Sequence, residues 1–376
     1  MSATVIEVHG HCAPAFSAVR AAFAENLAAR DEVGAAVCLR LGGEVVIDLW
    51  GGWRDGARTR PWTRDTRVNV WSSTKGVNAA CFAMLVQRGL AGYDDPVARW
   101  WPAFAAEGKS KVTLGDLLSH QAGLCGFSSP ATVDDLYAGE AAAERLAAQA
   151  PIWPLGTGSG YHAISIGILS AALFRRIEGR TIRQFVADEI AGPHGLDLSI
   201  GLDPSLDDLA AEIVAPPAMA SSSIGAMTAA QVAALANPPL DPRLPNTAAW
   251  RAAELPSANG FAHARSLAGV YGLLLAPDAP LVGPEVLTQA TAPRTAGVDL
   301  VLNLFARWGA GFLVNDDGLY GPGPRTFGHS GWGGSFAFAD PDRGLAMSYV
   351  MNRMGEQLRG DPRGAALIAA AYAAVG

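Results

Sequence analysis

Val70-Trp71-Ser72-Ser73-Thr74-Lys75-Gly76 runs directly into Val77-Asn78-Ala79-Ala80-Cys81-Phe82-Ala83-Met84-Leu85-Val86. The second part is apolar and alanine-rich, the pattern of a helix buried on all sides. Lysine is scarce: Lys75, Lys109 and Lys111 are its only occurrences, among 28 Lys and Arg together. A lysine at the head of a buried helix must be paired or desolvated, and desolvation lowers its pKa towards a value useful to a general base. Ser72 stands one helical turn back on the same face. The pattern is S-x-x-K, a hydroxyl nucleophile with an amine in reach of its proton. A serine near a helix start and a solvent-seeking lysine produce the same pattern by chance, so the rest of the chain must separate the two readings.

The chain has 376 residues, 50% of them hydrophobic, with a mean hydropathy of +0.18. That suffices for a large core, built as one big domain or as two lobes. The net charge is -7, and no basic stripe points to nucleic acid or an anionic membrane. The N-terminal MSATVIEVHGHCAPAF has neither a basic region nor a continuous apolar run, so a cytoplasmic protein without a membrane span is expected. Cys12, Cys38, Cys81 and Cys125 are widely spread and read as free, buried thiols. His9-Gly10-His11-Cys12 lacks a second ligand group at a metal-binding spacing, so neither metal nor cofactor is expected.

Outward from the central stretch, Ala13 to Arg30 carries helical spacing through Phe16, Val19, Phe23 and Leu27. Ala35–Leu41 and Glu44–Trp50 flank Gly42-Gly43 as a hairpin. The region from 80 to 275 reads as mostly helical. Within it, Val112–Leu124 reads as a short helix ended by a glycine, and its His120 reads as a core histidine rather than a triad member. Pro154–Ala163 is a glycine-rich loop that brings Tyr161 to the head of an apolar helix through Phe174. No strand precedes it and no lysine follows, which argues against phosphate binding. Residues 205–260 read as irregular loops, and Ser257 to Leu275 as helix. Trp308–Val314, Phe327–Gly331, Gly334–Asp340 and Leu345–Val350 read as strands, and a helix from Gly364 closes the chain. The expected fold is α/β (α+β): an antiparallel sheet flanked by N- and C-terminal helices. Residues 1–75 and 276–376 form that lobe, and residues 76–275 an inserted, mostly helical one.

Four segments now stand in order: Ser72-x-x-Lys75, LGDLLSHQAGL, the Tyr161 loop and FGHSGWGGSFAFADPDRG. Together they resemble the class C β-lactamase-like serine hydrolases, whose esterase branch is the family VIII carboxylesterases. The likeness runs from about residue 20 to the end. It implies that Ser72 is the nucleophile and that Lys75 and Tyr161 are coupled proton acceptors and donors. It also implies an oxyanion hole from the backbone N–H groups of Ser72 and Trp332, with substrate contacts from His329, Ser330 and Gly331. Two positions depart from the β-lactamase pattern. Ala163 stands where Y-x-N has Asn, and His329 where K-T-G has Lys. The departures leave acyl transfer intact and put β-lactam recognition in doubt.

The expected reaction is hydrolysis of small, short-chain carboxylic esters. Open alternatives are a β-lactamase, a D-aminopeptidase, an acyltransferase and a penicillin-binding sensor that acylates without turnover. An α/β-hydrolase is disfavoured: Gly328-His329-Ser330-Gly331-Trp332 nearly matches G-x-S-x-G but has Trp at the last glycine. It also lies too late for the acid and histidine that follow the nucleophile in that fold.

Overall fold

A computed structural model describes residues 6–216, 227–278 and 281–376. In chain order the strands are β1 Val8–Cys12, β2 Gly34–Leu41, β3 Glu44–Gly52, β4 Val68–Asn69, β5 Leu198–Ile200 and β6 Gly260–Ala262. They continue as β7 Thr295–Val298, β8 Phe305–Trp308, β9 Leu313–Val314, β10 Phe327–Ser330, β11 Phe336–Asp340 and β12 Leu345–Met351. Nine form one sheet in the order β1-β3-β2-β12-β11-β10-β9-β8-β7, and β4, β6 and β5 form a second. Every pairing between these strands is antiparallel. The β2–β3 hairpin turns at Gly42 and Gly43, whose φ of +57° and +89° suit glycine and match the twist of the strands.

β12 pairs with β2, joining the two ends of the chain in mid-sheet. Alternation along β12 assigns the faces. Ser348 Oγ donates to Ala264 O at 2.5 Å, towards the helix Ala264–Leu275. The neighbouring Tyr349 hydroxyl donates to Glu32 on the other face, where helix α1 (Ser17–Ala29) packs on the C-terminal helix Pro362–Val375. Directly opposed residues share a face, so His329, Ala337 and Ser348 look one way and Ser330, Phe336 and Tyr349 the other.

Helix α2 (Thr74–Gln87) is buried continuously from Thr74 to Leu85. Its lack of a polar stripe is the reason: no face tolerates water, so the helix lies in the interior. Burying a side chain such as Phe82 contributes about 1.5–3 kcal/mol relative to exposure.

Several expectations are corrected. Trp308–Val314 is not one strand, because Gly309–Phe312 forms a tight connection and the chain doubles back from β8 to β9. The helix expected from Ser257 begins at Ala264; residues 260–262 are pulled into β6 by pairing with β4 and β5. The 80–275 region therefore carries strands as well as helices. Of the stretch expected to be irregular, 217–226 lies outside the described residues, while Ala229–Leu235 and Ala248–Ala252 are helical behind threonine caps. Among the described residues no helix is long and apolar enough to cross a membrane.

Candidate active site

Ser72 sits in a single 3-10 turn, Trp71–Ser73, that leads into α2. Trp71 has a φ of +47°, a left-handed conformation costly for a residue with a bulky side chain. The surroundings enforce it. Thr74 Oγ1 donates to Trp71 O at 2.5 Å and accepts from Gly260 N at 2.9 Å, and the Trp71 ring packs on Trp250 and Trp332.

Lys75 is 2% exposed, and its Nζ lies 3.0 Å from Ser72 Oγ, 2.7 Å from Ala163 O and 2.9 Å from Ser257 O. Among the described residues no carboxylate pairs with it. Burial drives its pKa well below the usual lysine value. A neutral amine here donates its two N–H bonds to the two carbonyls, which can only accept. The lone pair then faces Ser72 Oγ.

Tyr161 enters from the loop ahead of the helix Ser165–Glu178. Burial raises its pKa, opposed by a hydrogen bond with Ser72, so the group facing the serine is a protonated phenol. Lys75 Nζ lies 4.7 Å from the ring centroid. Asp299 Oδ1 accepts the Tyr161 backbone N–H at 2.9 Å, and its Oδ2 accepts Trp308 Nε1 at 3.2 Å. The Trp308 ring stacks on Tyr161 at 5.7 Å and 10°.

The segment Gly331–Gly334 turns beside the serine. Ser335 Oγ lies 3.1 Å from Ser73 Oγ and donates to Val70 O at 2.8 Å. Among the described residues the Trp332 N–H has no acceptor. The three expected substrate contacts do not stay together. His329 is 3% exposed and faces Tyr161 and Trp308. Its Nδ1 is 2.8 Å from Ser330 O and so carries the proton, while Nε2 is buried without a partner among the described residues. Ser330 faces the other side of the sheet. There its Oγ meets Tyr320 Oη at 2.9 Å and lines, with Gly331, a cavity of about 340 Å³ walled by Leu319, Phe336, Ile368 and Tyr372.

His120 is a core residue. It is 1% exposed, its Nδ1 accepts from His162 N at 3.2 Å, and its ring abuts Trp308 at 4.5 Å. A Ser-His-Asp set exists away from this site: Ser266 Oγ is 3.0 Å from His263 Nδ1, and His263 Nε2 is 3.0 Å from Asp197 Oδ2. Ser266 is 0% exposed, so no substrate reaches it, and His263 serves as the cap of its helix. The four cysteines are free. Among the described residues no group of His, Cys, Asp and Glu is arranged to hold a metal ion.

Sequence reasoning missed Ser257, Asp299 and Trp308. Ser257 contributes only its carbonyl, which every residue carries, so its identity held no signal. Asp299 had one: a lone acid within the apolar run Val298–Phe305 must be hydrogen-bonded if buried.

The profile of the Beta-lactamase family matches residues 19–371. The esterase/beta-lactamase LipL of Mycobacterium tuberculosis is 35% identical over 362 residues, spanning 92% of this chain and 83% of its own. A family VIII carboxylesterase structure matches at a TM-score of 0.93 and 42% identity, over 98% of this chain and 100% of its own. A penicillin-binding protein homologue from Caulobacter crescentus matches at 0.93 and 43%, with the same coverage.

Proposed function

The chain belongs to the beta-lactamase family, and from that premise we propose that it is a serine carboxylesterase working through an acyl-enzyme on Ser72. That it is a hydrolase acting on esters follows from its relatives; the residues and the substrate range are our reading. The observation that carries it is the environment of Lys75: its Nζ meets two carbonyls and Ser72 Oγ, so a neutral amine that donates to the carbonyls turns its lone pair to the hydroxyl.

Lys75 accepts the Ser72 proton as Oγ bonds to the ester carbonyl carbon. The negative charge that develops on the carbonyl oxygen faces the N–H groups of Ser72 and Trp332. A lost donor of this kind typically costs about 2.7–4 kcal/mol. As the alkoxy C–O bond breaks, the phenol of Tyr161 protonates the departing oxygen and is itself reprotonated from Lys75. Water then repeats the sequence on the acyl-enzyme and releases the acid. The high pKa of Tyr161 and the low pKa of Lys75 favour the neutral amine and phenol over the ion pair in the resting enzyme. The cavity that Ser330 and Gly331 line opens on the face of the sheet away from Tyr161 and includes none of Ser72, Lys75, Tyr161 or Trp332, so it carries no part of this reading. His329 supports Tyr161 from below. The site then lies where the sheet lobe meets the inserted segment 76–275, the two-lobe division the sequence suggests.

The test is covalent labelling. A fluorophosphonate should modify the wild type at Ser72 and fail on Ser72→Ala, while Ser330→Ala still labels. A label that survives Ser72→Ala would overturn the proposal.

A further inference from the structure

The Trp332 N–H belongs to the same planar peptide unit as the Gly331 carbonyl. That carbonyl accepts Gly334 N–H at 3.1 Å, so the position of Gly334 sets the plane in which the Trp332 donor points. Gly333 and Gly334 have φ of +90° and +123°. They are held from behind the sheet. Arg363, at the start of the C-terminal helix and 5% exposed, donates from Nη2 to Gly333 O at 2.9 Å. Gly355 N–H donates to the same carbonyl at 2.8 Å. A Cβ on Gly334 would come within 2.9 Å of Asp361 Oδ2 and 3.1 Å of Arg363 Nη2, so the turn rests directly on that pair.

The guanidinium is fixed on every side. Nε and Nη2 grip Asp361 at 3.0 and 2.8 Å, and Nη1 donates to Glu32 Oε2 at 3.0 Å and Arg353 O at 2.8 Å. Tyr349 donates to the same Glu32 carboxylate. Only a planar fork with five N–H bonds can hold two carboxylates and two carbonyls at once, and lysine has three donors on one atom.

We propose that Arg363 is a positioning residue for the oxyanion hole: held by Asp361 and Glu32, it fixes Gly333 and Gly334 from the far face of the sheet and so aims the Trp332 N–H at the reacting carbonyl oxygen. This rests on the reading of Ser72 and Trp332 given above. Arg363 touches no substrate. If it merely neutralised two buried carboxylates, its loss would lower stability without selecting against the tetrahedral state.

The experiment compares wild type, Arg363→Lys and Asp361→Asn, each shown to be folded by circular dichroism at the assay temperature. Asp361→Asn keeps the side chain's shape and loosens the grip on Arg363 without altering a residue of the turn, so it carries the test if Arg363→Lys does not fold. For p-nitrophenyl butyrate, kcat should fall about 10- to 100-fold in the variants, with KM within about twofold. The Ki of an arylboronic acid, which becomes tetrahedral on Ser72, should rise in parallel with the loss in kcat. The Ki of the matching planar arylamide should stay within about twofold. A boronate Ki unchanged in folded variants, or planar and tetrahedral inhibitors weakened alike, would overturn the inference and leave the esterase reading standing. Failure of the boronate to inhibit the wild type would overturn the Ser72 reading, and this one with it.

Discussion

Asp299 carries Tyr161: its Oδ1 accepts the tyrosine's backbone N–H at 2.9 Å from 138 residues away. The same oxygen accepts Val301 N and Leu302 N at 2.9 and 3.0 Å, and Oδ2 takes the indole N–H of Trp308, whose ring lies flat against the phenol. One buried carboxylate thus fixes both the backbone and the stacking platform of the proposed proton donor. Asp299→Ala leaves four N–H groups without an acceptor. It should cost at least about 3 kcal/mol of stability, at the usual price of about 1–3 kcal/mol per orphaned buried group. Asp299→Asn keeps an acceptor for the three backbone donors and should cost less, while its amide repels the Trp308 N–H. Urea unfolding and kcat measured on both variants check the order: Ala worse than Asn in each.

Lys75 has to lose a proton to work, and arginine stays charged in proteins. Lys75→Arg should therefore lower kcat nearly as much as Lys75→Ala, by at least about 100-fold on the usual scale for general-base removal. Tyr161→Phe should depress kcat more than it raises KM. Because activity needs the neutral amine, kcat/KM should fall as pH drops through the depressed pKa of Lys75 and level off above it. A profile that is flat on the acid side, or near-native turnover in Lys75→Arg, would remove the lysine from the proton path.

Burial pushes the pKa of His162 down to about 4 and of His329 to about 3, with the Lys75 charge a lesser cause in each. An unfolded chain holds these rings near 6.5, so between those values it binds more protons than the folded protein. Their contribution is complete above about pH 6.5 and is lost as pH falls towards 4 and then 3. The urea midpoint should accordingly drop between pH 7.5 and 5, and His329→Gln should flatten that slope. An equally steep slope in the variant would show that other groups carry it.

A neutral, buried His329 offers no cation to a β-lactam carboxylate, and Ala163 lends Lys75 only its backbone carbonyl. Losing one hydrogen bond to a charged group costs roughly 1.5–3 kcal/mol, or about 10- to 150-fold in specificity. A neutral ester loses nothing. We expect kcat/KM for p-nitrophenyl butyrate to exceed that for a chromogenic cephalosporin by at least about 100-fold. Side-by-side kinetics decide it, and comparable values would reject the preference.

Local chemistry determined much of this protein before folding is considered. A pair of glycines between β-branched runs specifies the β2–β3 hairpin, because only that turn suits both the positive φ and the strand twist. The unbroken apolar run after Lys75 specifies a buried helix, and three residues of spacing bring Ser72, in the turn that leads into it, against Lys75 in its first turn. Both are short-range effects, carried by neighbours in the chain.

Tertiary structure decided what those residues can do. The carbonyls that orient Lys75 come from Ala163 and Ser257, 88 and 182 residues away, and a backbone carbonyl leaves no mark in the sequence. Gly260–Ala262 reads as part of a helix on local pattern and becomes a strand only because β4 and β5 offer it partners. His329 and Ser330 look like one motif. The alternation of a strand sends them to opposite faces of the sheet, one under Tyr161 and the other into the cavity beside the turn. Which face meets which helix depends on the packing of the whole sheet, and no window of sequence contains that.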